Sequence, residues 1–274
     1  MKRYGISSLL WDQSIENEVI EYLKNYSIEY LEIAPFRIWS TWNPTDIQIN
    51  NYINKLNSNH LKISSIQAIT FSNQEGHVYK LIKNKEYWND HFEKVLSLTI
   101  KLGCETAILG APSIRKDKDL YLEFIKRYKY LYSKFRENGK YILLEAVPKI
   151  YGSNILNNLK SLKCFCQENN YKLHVDLGCF LNEKLENLQD ENRVNFLSKA
   201  ISESFHFHIS NRDLKTLNID NETFSYLKKI QNIGSQYIVF ENISQSKNLN
   251  SIISYLIEVE KIIKNINVKV ENYK

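Results

Sequence analysis

Short apolar runs alternate with longer amphipathic segments eight times along the chain. Each run is about five to nine residues long and rich in Ile, Val, Leu, Tyr or Phe, which is typical of buried parallel strands. The segments between the runs, such as Asp90–Leu102, Leu120–Asn138 and Leu249–Ile266, have the apolar spacing of amphipathic helices. The eight predicted strands are Arg3–Ser7, Ile28–Ala34, Leu61–Ile69, Thr106–Gly110, Tyr141–Val147, Lys172–Leu177, Ser204–Ile209 and Gln236–Glu241.

The repeated strand–helix unit predicts the fold class. Eight units in 274 residues average about 34 residues each, which is room for one strand, one helix and two loops. With 8 Gly and 4 Pro in all, no flexible linker divides the chain, and we expect one domain over residues 1–274. An open doubly wound sheet would carry a Gly-rich phosphate turn after its first strand, but the sequence there is ISSLLWDQS. The pattern therefore predicts an α/β protein of the (β/α)8 TIM-barrel class.

The charge balance argues against a nucleic-acid partner. The chain has 36 Lys plus Arg and 31 Asp plus Glu, a net charge of +5. Its densest basic stretch, Arg115, Lys116 and Lys118, is interrupted by acidic residues. Nucleic-acid binders usually concentrate their basic residues on one stripe. We therefore expect no nucleic-acid partner, although Arg115 and the basic balance allow a phosphate site.

The sequence also lacks the features of membrane and disulfide-rich proteins. No apolar run approaches the roughly 20 residues that span a membrane. The basic start reaches Asp12 before any signal-peptide core develops. The four cysteines are few and irregularly spaced, so no disulfide framework is indicated. We expect a cytoplasmic protein with no membrane partner.

Four consecutive predicted strands end in a polar residue. These residues are Glu145 in ILLEAV, Asp176 in LHVDLG, His208 in FHFHIS and Glu241 in IVFENI. They are separated by 31, 32 and 33 residues, which is one strand–helix unit each time. Active sites of TIM barrels form at the C-terminal ends of the strands. We therefore expect three carboxylates and one imidazole to meet at one rim.

This combination of side chains predicts a bound cation. Three converging carboxylates would repel one another and raise their pKa values, and a divalent metal ion removes that conflict. Oxygen-rich ligation with one imidazole suits Mn, Mg, Co or Fe, and zinc also remains a candidate. A plainer interpretation is available for Asp176, since Asp often caps the following helix, whereas Glu145 and Glu241 are poor caps. Strand alternation places His174 and His206 one layer deeper, as core or supporting histidines.

These residues resemble those of the xylose isomerase-like TIM-barrel superfamily, in particular its sugar phosphate isomerase/epimerase branch. The resemblance runs from YGISSLLW through IEYLEIAP to IVFENI, nearly the whole chain. It implies that Glu145, Asp176, His208 and Glu241 hold one divalent metal ion (Mn, Co, Mg, Fe or Zn). It further implies an enzyme of carbohydrate metabolism with a sugar or sugar-phosphate substrate. The reaction would be proton transfer next to a carbonyl through a metal-stabilised enediolate, with Glu145 and Glu241 as the acid/base pair.

The resemblance also implies substrate contacts, and it has two departures. Arg212 in HISNRDL resembles an arginine that contacts substrate oxygens, although a solvated surface charge is the plainer interpretation. Cys179 stands where relatives usually carry a histidine, and Tyr151 stands where tagatose-type enzymes carry a second acidic residue. Glu32 and Gln67 end the second and third predicted strands and could also face the substrate.

Several functional classes stay open at this point. A three-zinc endonuclease IV-type site is excluded, because Gln67, Gly110 and Cys179 replace the additional histidines it needs. We expect a metal-dependent sugar (phosphate) isomerase or epimerase. The alternatives are a keto-sugar or inosose dehydratase-type lyase and a non-catalytic sugar-binding relative. By analogy with the superfamily, a homodimer or homotetramer is the expected assembly.

Overall fold

The eight predicted strands are all present. The computed structural model describes residues 2–183, 190–230 and 233–271. The strands are β1 (Arg3–Ser7), β2 (Tyr30–Ile33), β3 (Lys62–Ile66), β4 (Thr106–Leu109), β5 (Tyr141–Leu144), β6 (His174–Asp176), β7 (His206–Ile209) and β8 (Tyr237–Phe240). They form one sheet in the order β5-β4-β3-β2-β1-β8-β7-β6, and helices connect them. This is a (β/α)8 barrel, so the predicted fold class is confirmed.

Eleven α-helices lie within the described residues. Several begin at a side-chain cap: Asn84, Asn158 and Asp220 each accept a backbone N–H from the first turn of the helix they precede. No helix in the described ranges has both the length and the apolar character that crossing a membrane requires. The helices are α1 (Glu16–Leu23), α2 (Pro35–Trp39), α3 (Asp46–Asn57), α4 (His77–Lys83), α5 (Lys85–Lys101), α6 (Tyr121–Glu137), α7 (Leu159–Asn169), α8 (Leu177–Leu181), α9 (Asp190–Glu203), α10 (Asn221–Lys229) and α11 (Leu249–Glu271).

The chain forms two compact units, each discontinuous in sequence. The first comprises Met1–Leu31, Ser58–Leu61 and Leu173–Lys274. In it β1, β8, β7 and β6 pair in parallel, with Ile6 opposite Phe240 and Asp176 opposite His208. All four residues of β7 and of β8 are buried, as expected for strands covered on both faces.

The second unit comprises Glu32–Asn57 and Lys62–Lys172. Here β3, β4 and β5 pair in parallel. An aromatic layer supports the strands from α5 and α6, and the Tyr128 hydroxyl donates to the Ile142 carbonyl at 2.9 Å. The expectation that residues 1–274 form a single domain stays a prediction.

Candidate metal centre

The strand register of the first unit brings three potential ligands together. Asp176 ends β6 and pairs directly with His208 of β7. Ile209 pairs with Phe240, so Glu241 is the first residue beyond β8, and its backbone N–H donates to the Ile209 carbonyl at 3.0 Å. Because β6, β7 and β8 are parallel, their C-terminal ends lie side by side. Three residues that are far apart in sequence therefore present their side chains at one place.

The three side chains are close enough to share one ion. His208 Nδ1 lies 3.3 Å from Glu241 Oε2 and 3.7 Å from Asp176 Oδ2. One potential ligand atom from each residue lies within 4.8 Å of the others. Two ligands at about 2.0–2.2 Å from one ion are separated by up to about 4.4 Å, so this spacing is close to that of a metal site. The exposed fractions of the Asp176, His208 and Glu241 side chains are 1%, 1% and 11%.

The electrostatics of the site also fit a cation. Burial raises the pKa of Asp176 to about 6, and the negative charge of Glu241 adds to that effect. The His208 ring, a backbone N–H and the Ser210 hydroxyl oppose the rise only in part. Two carboxylates buried this close together carry a desolvation and repulsion cost that a divalent cation would relieve. The donor set of two carboxylates and an imidazole therefore fits a divalent metal ion.

Both carboxylate oxygens of Asp176 have defined partners. Oδ1 accepts the backbone N–H of Cys179 and so caps α8, while Oδ2 accepts the Ser210 hydroxyl at 2.8 Å. Ser210 Oγ in turn accepts the Gly178 N–H at 3.0 Å. A Cβ on Gly178 would overlap the Asn211 carbonyl and Ser210 Oγ, so this close approach requires glycine. Asp176 thus caps α8, and its place beside His208 and Glu241 also makes it a potential metal ligand.

Ser210 is a site residue that the sequence analysis missed. It lies two residues after His208, so strand alternation carries both side chains to the same face. That spacing was the available signal, but a serine beyond a strand end normally suggests only a turn. In the structure Ser210 is fully buried and orients Asp176.

Two further histidines lie beneath the centre, as expected. His174 and His206 are fully buried, and their Nδ1 atoms are 3.2 Å apart. Burial lowers the pKa of both rings well below the usual value, so both are neutral at pH 7. The His174 ring packs edge-on against His208 with centroids 4.5 Å apart. The three rings form a second cluster of potential ligand nitrogens that shares His208 with the first.

Glu145 belongs to the second unit and directly follows β5. Its backbone N–H donates to the Leu109 carbonyl at 3.2 Å, which extends the β4–β5 ladder by one residue. Its own carbonyl accepts from Arg115 at 2.8 Å. The Glu145 side chain is half-buried and lies against Gly110.

Three other residues with expected substrate contacts also lie in the second unit. Glu32 is fully buried, and its Oε2 accepts the Ser65 hydroxyl at 2.6 Å. Gln67 is buried, and its backbone N–H donates to the Ile33 carbonyl at 2.8 Å. Tyr151 ends a short 3-10 turn and is 38% exposed. Their contacts with a substrate stay predictions.

Cys179 and Arg212 differ in their surroundings. Cys179 is buried in α8, where its backbone N–H meets Asp176. Arg212 is 45% exposed, and its Nη2 lies 2.7 Å from Glu222 Oε1 in a surface ion pair. An exposed pair of this kind contributes little to stability. The predicted role of each residue in substrate binding stays a prediction.

No family model and no curated protein matches the sequence, but solved structures match its fold. D-psicose 3-epimerase from Clostridium cellulolyticum H10, crystallised with D-tagatose, has a TM-score of 0.69 and 14% identity over 97% of this chain and 98% of that chain. D-allulose 3-epimerase from Methylomonas sp., in complex with D-allulose, has a TM-score of 0.64 and 19% identity over 98% of this chain and 97% of that chain. A 3-keto-D-glucoside 4-epimerase from E. coli has a TM-score of 0.66 and 14% identity over 96% of this chain and 100% of that chain.

At identities of 14 to 19% the likeness shows the fold, which is the barrel that these sugar epimerases share. The chain thus combines that barrel with a cluster of two carboxylates and one imidazole at the C-terminal ends of β6, β7 and β8.

Proposed function

We propose that this chain is a divalent-metal-dependent isomerase or epimerase of a sugar or sugar derivative, which transfers a proton next to a carbonyl group. The observation that carries the proposal is the buried cluster of Asp176, His208 and Glu241. The barrel neighbours support the substrate class, since two of them were crystallised with the ketoses D-tagatose and D-allulose.

Glu145 is the fourth ligand in this proposal. It follows β5 directly, as Glu241 follows β8, and the C-terminal strand ends of a TIM barrel together form its active-site face. Glu145, Asp176, His208 and Glu241 would then hold one Mn, Co, Mg, Fe or Zn ion. A divalent ion bound there supplies Lewis-acid stabilisation of negative charge on substrate oxygens.

The surroundings of the carboxylates suggest different roles for them. Both oxygens of Asp176 are committed, one to the cap of α8 and one to Ser210, and its side chain is only 1% exposed. Asp176 therefore suits the role of a metal ligand that takes no part in proton transfer. The Glu241 side chain is 11% exposed, which makes it the most accessible carboxylate of the cluster in the first unit. We assign to Glu241 the transfer of a proton to and from the substrate carbon, with Glu145 acting from the opposite substrate face.

The proposal is tested by metal binding and proton exchange. The protein is reconstituted with Mn²⁺ and analysed by plasma mass spectrometry, and we expect about one equivalent per chain, as one site predicts. D-tagatose, D-allulose and D-fructose are then incubated with it in D₂O, and ¹H NMR follows the proton on the carbon next to the carbonyl. We expect exchange with the wild type and at least an about hundredfold loss in Glu241→Gln, in line with the loss of an acid/base group.

Glu137→Gln is the matched control, because Glu137 is an exposed residue of α6 that pairs only weakly with Lys134. Its exchange rate should equal that of the wild type. Circular dichroism confirms that both variants are folded. Unchanged exchange in Glu241→Gln, or no bound metal after reconstitution, would contradict the proposal. Formation of a product that has lost water relative to the sugar would instead indicate the lyase, and sugar binding without exchange would indicate the non-catalytic relative.

A further inference from the structure

Arg115 is fully buried, although it ends a short 3-10 turn in the connection that follows β4. Its five N–H groups donate at 2.7 to 3.1 Å to four backbone carbonyl oxygens, those of Gly110, Glu145, Ile155 and Leu156. A guanidinium has five N–H donors, so all of them are engaged. The phosphate site that the sequence allowed at Arg115 is therefore not supported, because a phosphate would have to displace these carbonyls.

Arg115 joins the C-terminal ends of β4 and β5, and Glu145 lies at the second of these ends. One nitrogen, Nη1, donates to the Gly110 carbonyl at 2.7 Å and to the Glu145 carbonyl at 2.8 Å. These are the first residues beyond β4 and β5, where the regular pairing of the strands ends. Hydrogen bonds from a charged donor are about twice as strong as neutral ones. Arg115 therefore fixes the backbone that carries the Glu145 side chain.

Gly110 leaves the space that the Glu145 carboxylate takes. A Cβ built on Gly110 would overlap Glu145 Oε2. The φ angle of Gly110 is outside the left-handed range, so glycine is required there for space and not for backbone conformation. The next residue, Ala111, has φ 45°, a left-handed conformation that is unusual for alanine. Such strained residues persist where the surrounding structure holds them, and they concentrate at functional sites.

We propose that Gly110 and Arg115 are positioning residues for Glu145. Gly110 lets the carboxylate lie across the end of β4, and Arg115 holds the backbone of both strand ends. The consequence for metal binding and catalysis rests on the function proposed above. The position of the Glu145 side chain does not, so the two proposals can fail separately.

The test is a double-mutant cycle with Gly110→Ala, Glu145→Ala and the double variant. The cycle supplies its own control, since the added methyl group has no carboxylate to displace once Glu145 is alanine. Mn²⁺ affinity is measured by calorimetry, and crystal structures locate the side chain. We expect Gly110→Ala to move the carboxylate with β4 and β5 unchanged. It should weaken Mn²⁺ binding at least about tenfold in the wild type and less than about twofold in Glu145→Ala, as for outer contacts of a metal ligand.

Each outcome of the cycle decides something. An unmoved carboxylate, or an equal loss of Mn²⁺ affinity in both backgrounds, overturns the role of Gly110. A displaced carboxylate in a protein that neither binds Mn²⁺ nor exchanges ketose protons supports the positioning role and refutes the proposed function.

Arg115 is tested separately with Arg115→Lys, which keeps the charge but replaces five N–H donors in a planar fork with three on one nitrogen, too few to reproduce the five hydrogen bonds of Arg115. We expect Mn²⁺ binding to weaken at least about tenfold and kcat to fall more than KM rises. Wild-type affinity in this variant overturns the role of Arg115. Because Arg115→Lys could unfold, NMR of the wild type provides a second measurement. The Arg115 Nε–H should exchange with D₂O at least about a hundredfold more slowly than that of an exposed arginine, and fast exchange would also overturn its role.

Discussion

Replacing Ser210 with alanine should destabilise the protein by about 3 kcal/mol at pH 7. The hydroxyl is fully buried, donates to Asp176 Oδ2 at 2.8 Å and accepts the Gly178 N–H at 3.0 Å. A hydrogen bond to a charged group contributes about 1.5–3 kcal/mol, and a buried donor left without an acceptor costs about 1–3 kcal/mol. The two terms share one atom and are not additive, so the expected total is below their sum.

The charge on Asp176 sets the pH at which this loss is largest. With a pKa of about 6, most Asp176 carboxylates are ionised at pH 7 in the metal-free protein. The Ser210 hydroxyl favours the ionised form, since its hydrogen bond lowers the pKa of Asp176. The loss in Ser210→Ala should therefore be smaller at pH 5, where the carboxyl is mostly protonated in both proteins.

Urea unfolding, followed by circular dichroism in the presence of a chelator, measures the loss. The control is Ser254→Ala, because Ser254 is exposed on α11 and its hydroxyl donates to the backbone carbonyl oxygen of Asn250 at 3.0 Å. That change should stay within about 0.5 kcal/mol, as for surface substitutions in general. If Ser210→Ala also lost less than about 0.5 kcal/mol, the argument that Ser210 and Asp176 form a buried, mutually dependent pair would be refuted.

Two further predictions concern pH. Burial lowers the pKa of His91 to about 4. The folded protein therefore binds the proton less readily than the unfolded chain, whose histidine has a pKa of about 6.5. This contribution to the free energy of unfolding is complete above about pH 6.5, and about 3 kcal/mol of it is lost as the pH falls to about 4. His91→Phe should remove this part of the pH dependence, as measured by urea unfolding at several pH values. The same pH dependence of the free energy of unfolding in wild type and variant would contradict the prediction. Mn²⁺ affinity should fall about threefold between pH 6.5 and pH 5.5, because the ion requires ionised Asp176, whose pKa is about 6. Calorimetry at about pH 7.5, 6.5 and 5.5 measures this change. An affinity for Mn²⁺ that stays constant over these pH values would count against Asp176 as a ligand.

The strands could be predicted because buried parallel strands are almost continuously apolar. A polar residue at the end of such a run is conspicuous, and this is how Asp176, His208 and Glu241 were found. The strand limits were less predictable. β6 was expected over Lys172–Leu177 but spans only His174–Asp176. Its limits depend on which residues β7 offers as partners and on Asp176 starting α8 at once, and neither is visible within the segment.

Contacts between distant loops explain what the sequence did not reveal. The sequence places Arg115 in a basic stretch with Lys116 that allows a phosphate site, yet Arg115 is buried and donates to the backbone carbonyls of Ile155 and Leu156. The requirement for Gly110 depends on where the Glu145 side chain lies. Composition and periodicity describe a residue by its neighbours in sequence, so they could not predict either arrangement.

The contacts of Asp176 do not depend on which side chain stands at position 179. The contact of Cys179 with Asp176 is made by its backbone N–H, which every residue except proline provides. Exchange of the side chain at this position therefore leaves the cap of α8 in place. The second oxygen of Asp176 is held independently by Ser210. Asp176 therefore keeps its orientation toward His208 whichever side chain, proline apart, stands at position 179.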